Sequence, residues 1–169
     1  MAKPNATVAH EWYHAQSDEA EGRGSSFFYE GNVIYSFGHH YPIARKVHGD
    51  RNLVLFQYLN EWGGYTGRHR GHVQHALAGN ATVFYVEDVL ADTPRAHLYN
   101  HNNYFDRARE EADRWPRARE GKLRIFRSIQ ALATEMNMYA TEFDVPVPRN
   151  LSVSDFLPRG WEGDVNDMR

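Results

Sequence analysis

Short apolar runs separated by turn residues predict a set of β-strands in the first half of the chain. Aromatic and β-branched residues dominate positions 27–30 and 33–37, and Gly31-Asn32 between them is typical of a tight hairpin. Further strands are predicted at residues 43–47, 52–59 and 82–86. Because turn residues separate most of these runs, the pattern favours an antiparallel sheet of about four or five strands.

The segments between the predicted strands have a less regular pattern. Residues 17–26 are polar and contain glycine, so we predict a loop there. Residues 65–69 are predicted to form either a further short strand or an extended loop. Residues 71–78 are predicted to form a short helix that ends at Gly79-Asn80.

Apolar residues spaced by three and four positions predict helices towards both ends of the chain. Near the N-terminus this spacing covers residues 7–15. In the second half, one apolar face runs through residues 105–115, and a longer one runs through residues 126–143 and ends before Pro146. These apolar faces must be buried, and the sheet is the available partner.

The predicted fold is therefore α+β, with a small antiparallel sheet of about 4–5 strands, an N-terminal helix and C-terminal helices packed on one face. We predict a single domain over residues 1–145, sheet-rich over residues 8–90 and helical over residues 103–143. Residues 146–169 form a Pro- and Gly-containing acidic tail, which is either ordered by contact or disordered.

Composition excludes several classes of protein. Apolar residues make up 41% and charged residues 24% of the chain, which are the values of a globular protein. Without cysteine there is no disulfide framework, thiolate metal site or cysteine nucleophile. No apolar run is long enough to span a membrane and no secretory signal is present, so we expect a cytoplasmic protein without membrane contact.

Charge is distributed unevenly along the chain. The net charge of −3 argues against non-specific binding of nucleic acid by the whole surface. Residues 39–75 nevertheless contain five Lys and Arg against two acidic residues, together with six of the ten histidines. Both ends of the chain are net acidic. This distribution is compatible with an anion-binding face on an otherwise acidic protein.

The candidate binding residues lie in this basic region and in the aromatic stretch before it. Arginine side chains can clamp phosphate or carboxylate groups, and aromatic and imidazole rings can stack on bases. The predicted binding residues are Tyr35, Ser36, His39, Arg45, Thr66, Arg68 and Arg70. Two alternatives stay open: a surface salt bridge for Arg45 and a packed sheet-face ring for Tyr35.

His40 and His69 are candidate catalytic residues, because imidazole titrates near neutral pH and can serve as general acid or base. In this hypothesis two strands bring them together, Arg45 holds an anionic substrate, and Tyr35 or Ser36 orients it. The alternative for His40 is a turn histidine bonded to the backbone. No Gly-x-Ser-x-Gly, Walker loop or Gly-x-Gly-x-x-Gly is present, so serine-hydrolase, nucleotide-hydrolase and dinucleotide-binding functions have no support.

His69, His72 and His75 have the spacing that most resembles a metal site. On a helix of 3.6 residues per turn, however, His69 and His75 diverge by about 240°. The alternative is a solvated, His-rich helix start. We predict no metal and no cofactor, and keep these three histidines as the residues that would hold a metal.

Two stretches resemble the hallmark of an uncharacterised domain encoded by bacteriophages, plasmids and bacterial genomes. They read Phe28-Tyr29-Glu30-Gly31 and Ile34-Tyr35-Ser36-Phe37-Gly38-His39-His40-Tyr41-Pro42-Ile43-Ala44, where the family pattern is approximately Phe-x-Gly and Ile-Tyr-Ser-Tyr-Gly-x-His-Phe-Pro-Ile-Ala. Thr66 and His69 are similar to the family's turn threonine and following histidine, and the likeness covers residues 8–90. The chain departs from the pattern at Phe37, Tyr41 and Tyr65, the last standing where a second threonine is expected. The resemblance implies a phage or mobile-element setting and no particular activity.

Three functions follow from these observations. The first is an accessory binding protein of phage or mobile-element type that contacts nucleic acid through a basic, aromatic and His-rich face. The second is a protein-binding accessory or structural phage factor, in which Tyr35, Pro42 and Ile43 are buried and the motif is fold core. The third is a His-based acid/base enzyme that acts on an anionic substrate. The expected partner is thus nucleic acid or a phage or host protein.

Overall fold

The structure is a computed structural model that describes residues 2–47, 50–58, 64–118 and 120–162. These residues belong to two compact units, Met1–Leu90 and Ala91–Arg169. The first unit contains the whole described sheet, and the second is helical. This mixture of helices and sheet confirms the predicted α+β class, while the single domain over residues 1–145 and the packing of the C-terminal helices on the sheet stay predictions.

The described part of the first unit contains six strands and two helices. In chain order they are α1 (Asn5–His14), β1 (Glu21–Arg23), β2 (Phe27–Glu30), β3 (Val33–Ser36), β4 (Pro42–Val47), β5 (Asp50–Gln57), α2 (Gly64–Leu77) and β6 (Thr82–Val86). The strands lie in the sheet in the same order as in the sequence. Strands β1 to β5 pair antiparallel, whereas β5 and β6 are parallel. A parallel pair needs a crossover connection, which α2 provides.

Two predictions about the first unit were wrong, and the predicted strand count was slightly low. The predicted loop over residues 17–26 contains strand β1. This strand has no apolar run, because its inward position is Gly22, which lies opposite Tyr29 and leaves room for the Tyr29 ring. Residues 65–69 are the first turns of α2 and neither strand nor loop. The sheet formed by the described residues has six strands, slightly more than the predicted four or five, and its last pair is parallel. Leu59, predicted as the end of a strand, lies outside the described residues.

Helices α1 and α2 cover one face of the sheet. Trp12 is fully buried there, and its indole N–H donates to the Asn32 carbonyl at 3.0 Å. The Asn32 side chain donates in turn to the Lys46 carbonyl at 3.0 Å, which ties the β2–β3 hairpin to β4. Lys46 is itself buried, and its ammonium donates to the Ala15 carbonyl at the C-terminal end of α1, where the helix dipole favours a cation.

The second unit is built on two long helices, α3 (Pro94–Asp113) and α4 (Lys122–Glu142), with short 3-10 helices at Trp115–Arg117 and Val153–Asp155. The Thr93 hydroxyl accepts from the Ala96 amide at 3.2 Å and caps α3. This helix begins earlier than the apolar face over residues 105–115 indicated. Its first turns bury polar side chains, such as Asn100 and His101, which an apolar pattern does not detect.

The segment after α4 is held against that helix by contacts. Val153 and Leu157 are buried in a cluster with Ile125 and Ile129. The Asn137 side chain donates to the Leu151 carbonyl at 2.7 Å and accepts from the Leu151 amide at 3.1 Å. The predicted tail is therefore ordered by contact at these positions. None of the described helices is long and apolar enough to span a membrane.

Two glycines with positive φ provide a test of the hairpin geometry. Gly31 has a φ of 57°, and a methyl group there would lie 2.7 Å from the Asp18 carbonyl oxygen, whereas Gly79 has a φ of 73° and open space around it. We expect Gly79→Ala to lower the free energy of unfolding by about 1–2 kcal/mol through backbone strain alone. Gly31→Ala should lower it further, because it adds a backbone clash. Urea unfolding followed by circular dichroism compares the variants, and equal losses would contradict this account.

Candidate functional site

A buried hydrogen bond joins Ser36 at the end of β3 to His69 in the second turn of α2. The Ser36 Oγ and His69 Nδ1 atoms are 2.7 Å apart, and the two residues are 0% and 2% exposed. Neighbouring residues of a strand face opposite sides, so Ser36 faces the helices while Tyr35 faces the other side of the sheet. On α2, His69 continues the buried row of Val73 and Leu77.

The environment of His69 favours its neutral form. Its ring is stacked on Phe27 at 4.8 Å between centroids and tilted against Phe37 at 5.4 Å. Burial lowers the pKa of His69, and the nearby His72 lowers it further. A Ser–His pair can serve as nucleophile and base when a substrate reaches it. Here both members are enclosed in the core, so the pair fastens α2 to β3.

Two cations of the predicted basic face, Arg45 and Arg70, are bound to backbone carbonyls. Arg45 Nε donates to the Val89 carbonyl at 2.7 Å. Arg70 Nη1 donates to the Gln57 carbonyl at 2.5 Å, and its guanidinium lies 4.6 Å from the centroid of the Phe56 ring. Arg45 therefore connects β4 to the segment after β6, and Arg70 connects α2 to the end of β5. Arg68, in contrast, is exposed.

Tyr35 and His39 belong to a ring cluster on the opposite face of the sheet. Tyr35 stacks on Phe28 at 5.1 Å, and the His39 ring lies edge-on to both. His39 Nε2 is 2.8 Å from a carboxylate oxygen of Glu30. The Arg23 guanidinium lies 4.7 Å from the Phe28 centroid. Burial raises the pKa of Tyr35, with a further contribution from Glu30. This cluster fixes the start of the β3–β4 corner.

The corner itself displays an aromatic side chain in a strained conformation. The Gly38 amide donates to the Ser36 carbonyl at 2.8 Å, which closes a γ-turn around Phe37 with a φ of 63°. Gamma-turns with a positive φ are rare and strained for residues other than glycine. The Phe37 amide donates to the Ser26 carbonyl at 2.7 Å and stabilises the turn. The Phe37 ring is 53% exposed.

His40 and Tyr41 follow on the same corner. Both are exposed, their ring centroids are 4.6 Å apart, and Tyr41 is 48% exposed. The described contacts of the His69 ring are with Ser36, Phe27 and Phe37, and that of the His40 ring is with Tyr41, so they give no support to His40 and His69 as a pair of acid and base. The prediction that two strands supply these histidines was wrong, because His69 is on a helix.

The first turns of α2 present a second exposed ring. Tyr65 is 70% exposed, and the Arg68 guanidinium lies 5.7 Å from its centroid. Tyr65 precedes His69 by one helical turn on α2, and the His69 ring contacts Phe37, so His69 links the start of α2 to the corner. Thr66 is half-buried in the first turn of α2, not in a loop. We define the corner surface as Phe37, His40, Tyr41, Tyr65 and Arg68.

The described residues include no group of three or more His, Cys, Asp or Glu that could hold a metal ion. His69 is enclosed beside Ser36, whereas His75 is exposed. The three histidines spaced along α2 therefore do not converge.

Sequence reasoning had not selected Phe37, Tyr41 or Tyr65 as binding residues. The signal available in the sequence was their aromatic character: Phe37 and Tyr41 flank the Gly-His-His turn, and Tyr65 lies three residues before Arg68. All three are exposed.

No family model, curated protein or solved structure matches the chain. The resemblance to a phage and plasmid domain therefore stays a prediction, and the functional argument rests on the geometry of the first unit.

Replacing Ser36 tests the role of the buried pair. Ser36→Ala removes the hydrogen bond to His69 and leaves a buried ring nitrogen unsatisfied, so we expect a loss of about 1–3 kcal/mol in the free energy of unfolding. Ser25→Ala, at an exposed position nearby, is the matched control. Urea unfolding of both variants measures the difference, and an unchanged stability of Ser36→Ala would refute the structural role.

The lowered pKa of His69 predicts a pH dependence of stability. The unfolded chain binds more protons than the folded one below about pH 6.5, so the free energy of unfolding is highest above that pH and falls as the pH decreases towards the folded pKa. Burial also lowers the pKa of His101, so part of the slope has another origin. His69→Gln should therefore make the slope shallower without abolishing it. Unfolding of the wild type and of His69→Gln is measured from about pH 8 to about pH 5, a range that spans the ordinary histidine pKa. Identical slopes of the free energy of unfolding against pH would count against this assignment.

Proposed function

We propose that this protein is an accessory binding protein of phage or mobile-element type that binds nucleic acid through the corner surface. The observation that carries the proposal is the exposure of aromatic side chains on the β3–β4 corner and, beside Arg68, at the start of α2, two segments that His69 joins through Ser36 and Phe37. Aromatic rings combined with arginine are the usual chemistry of proteins that bind nucleotides through stacking and phosphate contacts.

The local charge supports an anionic partner. Residues 31–49 and 62–86 contain no Asp or Glu, and they include every residue of the corner surface. The carboxylate of Glu30 is engaged with His39, in the ring cluster on the other face of the sheet. A nucleic acid that approaches the corner surface thus meets Arg68 and histidine side chains. These two segments contribute no carboxylate that would repel its phosphates. The phage or mobile-element setting rests on the sequence resemblance.

A protein-binding accessory factor is the second candidate, and one observation favours it. Much of the hallmark motif is core: Ile34, Ser36, Ile43 and Ala44 are buried, and Tyr35 and Pro42 are half-buried. Exposed aromatic rings also occur in the centres of protein interfaces. The two candidates differ in salt dependence, because binding to nucleic acid releases counterions and weakens steeply with salt.

The acid/base enzyme receives no support from the geometry. His69 is enclosed with Ser36 as its polar partner, and His40 contacts Tyr41 on the exposed corner. Arg45, which was to hold the substrate, donates to the Val89 carbonyl.

Arg68 provides the test of the proposed function. Arg68→Gln removes a phosphate contact, so affinity for a fluorescent oligonucleotide should fall severalfold and the salt slope should decrease by about one. Arg109→Gln, an exposed arginine of α3, is the matched control and should leave both unchanged. Fluorescence anisotropy across a salt series measures the two variants. Absence of oligonucleotide binding by the wild type, or equal effects of the two substitutions, would refute the proposal.

A further inference from the structure

We infer that the corner surface binds single-stranded nucleic acid, with unpaired bases stacked on Phe37 and Tyr65. This inference rests on the proposed function and specifies its ligand. It follows from three features of the first unit: where its cations are used, how Phe37 is held, and how His69 links the corner to the start of α2.

The first feature disfavours a duplex ligand. Proteins that track a duplex neutralise several phosphates with Lys and Arg. In the first unit, Arg45, Lys46 and Arg70 donate to backbone carbonyls, and Lys46 is buried. The corner surface as described contributes Arg68. One arginine beside several rings matches a ligand that is held by stacking more than by its charge.

The second feature is the conformation of Phe37. A strained γ-turn turns its ring outward, and hydrogen bonds to the Ser26 and Ser36 carbonyls hold that turn. Contact with the buried His69 ring holds one side of Phe37, which leaves the exposed side for a ligand. Strained residues persist where the surrounding structure determines them, and they cluster at functional sites. A ring fixed in this way loses little freedom when a base stacks on it.

The third feature is that His69 links the two exposed rings. The His69 ring contacts Phe37, and Tyr65 lies four residues before His69 on α2, a rise of about 6 Å along the helix axis. Unpaired bases can separate and stack on neighbouring rings, whereas the bases of a duplex are stacked on each other and present only their edges. The Arg68 guanidinium beside Tyr65 is placed to contact the phosphate next to the base on that ring.

The experiment uses the full chain and three labelled ligands: a single-stranded DNA and a single-stranded RNA of about 12 nucleotides, and a hairpin duplex of the same sequence. Fluorescence anisotropy gives the affinities. 2-Aminopurine in the single strands reports stacking through quenching of its fluorescence. The bases of DNA and RNA can both stack on aromatic rings, so stacking alone does not distinguish the two. Comparing their affinities shows whether the site accepts deoxyribose, ribose or both.

Four variants separate stacking from folding. Phe37→Leu and Tyr65→Leu keep an apolar side chain but remove the ring, and each should weaken single-strand binding by roughly 5- to 100-fold. Phe37→Tyr retains an aromatic ring, so it should keep the wild-type affinity and the wild-type quenching of 2-aminopurine fluorescence. Met138→Ala, which alters a 52% exposed side chain of α4, is the control and should have no effect.

We expect at least one of the two single strands to bind more tightly than the hairpin. Binding of that strand to the protein should quench the fluorescence of its 2-aminopurine. A hairpin that binds as tightly as the single strands would overturn this inference while leaving the proposed function in place. So would single-strand binding that Phe37→Leu and Tyr65→Leu leave unchanged. If none of the three ligands binds, the proposed function fails as well.

Discussion

The first unit depends on a hydrogen bond that no solvent reaches. The Ser36–His69 pair fixes the second turn of α2 against the end of β3, and the ring of His69 then fills the space between Phe27 and Phe37. An unsatisfied polar group in such a place is costly, so serine and histidine specify each other and thereby the position of α2 on the sheet. The corner and the start of α2 are neighbours because of this constraint.

Positively charged side chains also satisfy polar groups inside the first unit. Arg45, Lys46 and Arg70 look like an anion-binding set in the sequence, but each donates to a carbonyl where a strand, a helix or a connecting segment ends. Backbone carbonyls at such places lack regular partners and need donors. Three cations of residues 39–75 are thus engaged with the backbone, whereas Arg68, His39, His40 and His75 are exposed.

Much of the fold could be predicted from the sequence, because apolar periodicity reports burial directly. Strands β2 and β6 have the predicted bounds, and α4 buries Ile129, Ala133 and Met136 on the predicted face. The failures have physical causes. Gly64, Gly67 and Gly71 hide the start of α2, and Gly22 hides β1 since its lack of a side chain makes room for Tyr29. The candidate site was harder still, because exposure of Phe37 depends on one backbone angle.

The parallel pairing of β5 with β6 also determines when this surface comes into being. The strands from β1 to β5 pair with their sequence neighbours, so that meander closes through short loops. Strand β6 instead pairs Thr82 with Leu53 across the whole of α2, and such distant contacts carry a larger loop-closure entropy and form slowly. Phe37 belongs to the locally paired meander and Tyr65 to the crossover helix. The complete corner surface therefore requires the distant β5–β6 pairing as well as the local one.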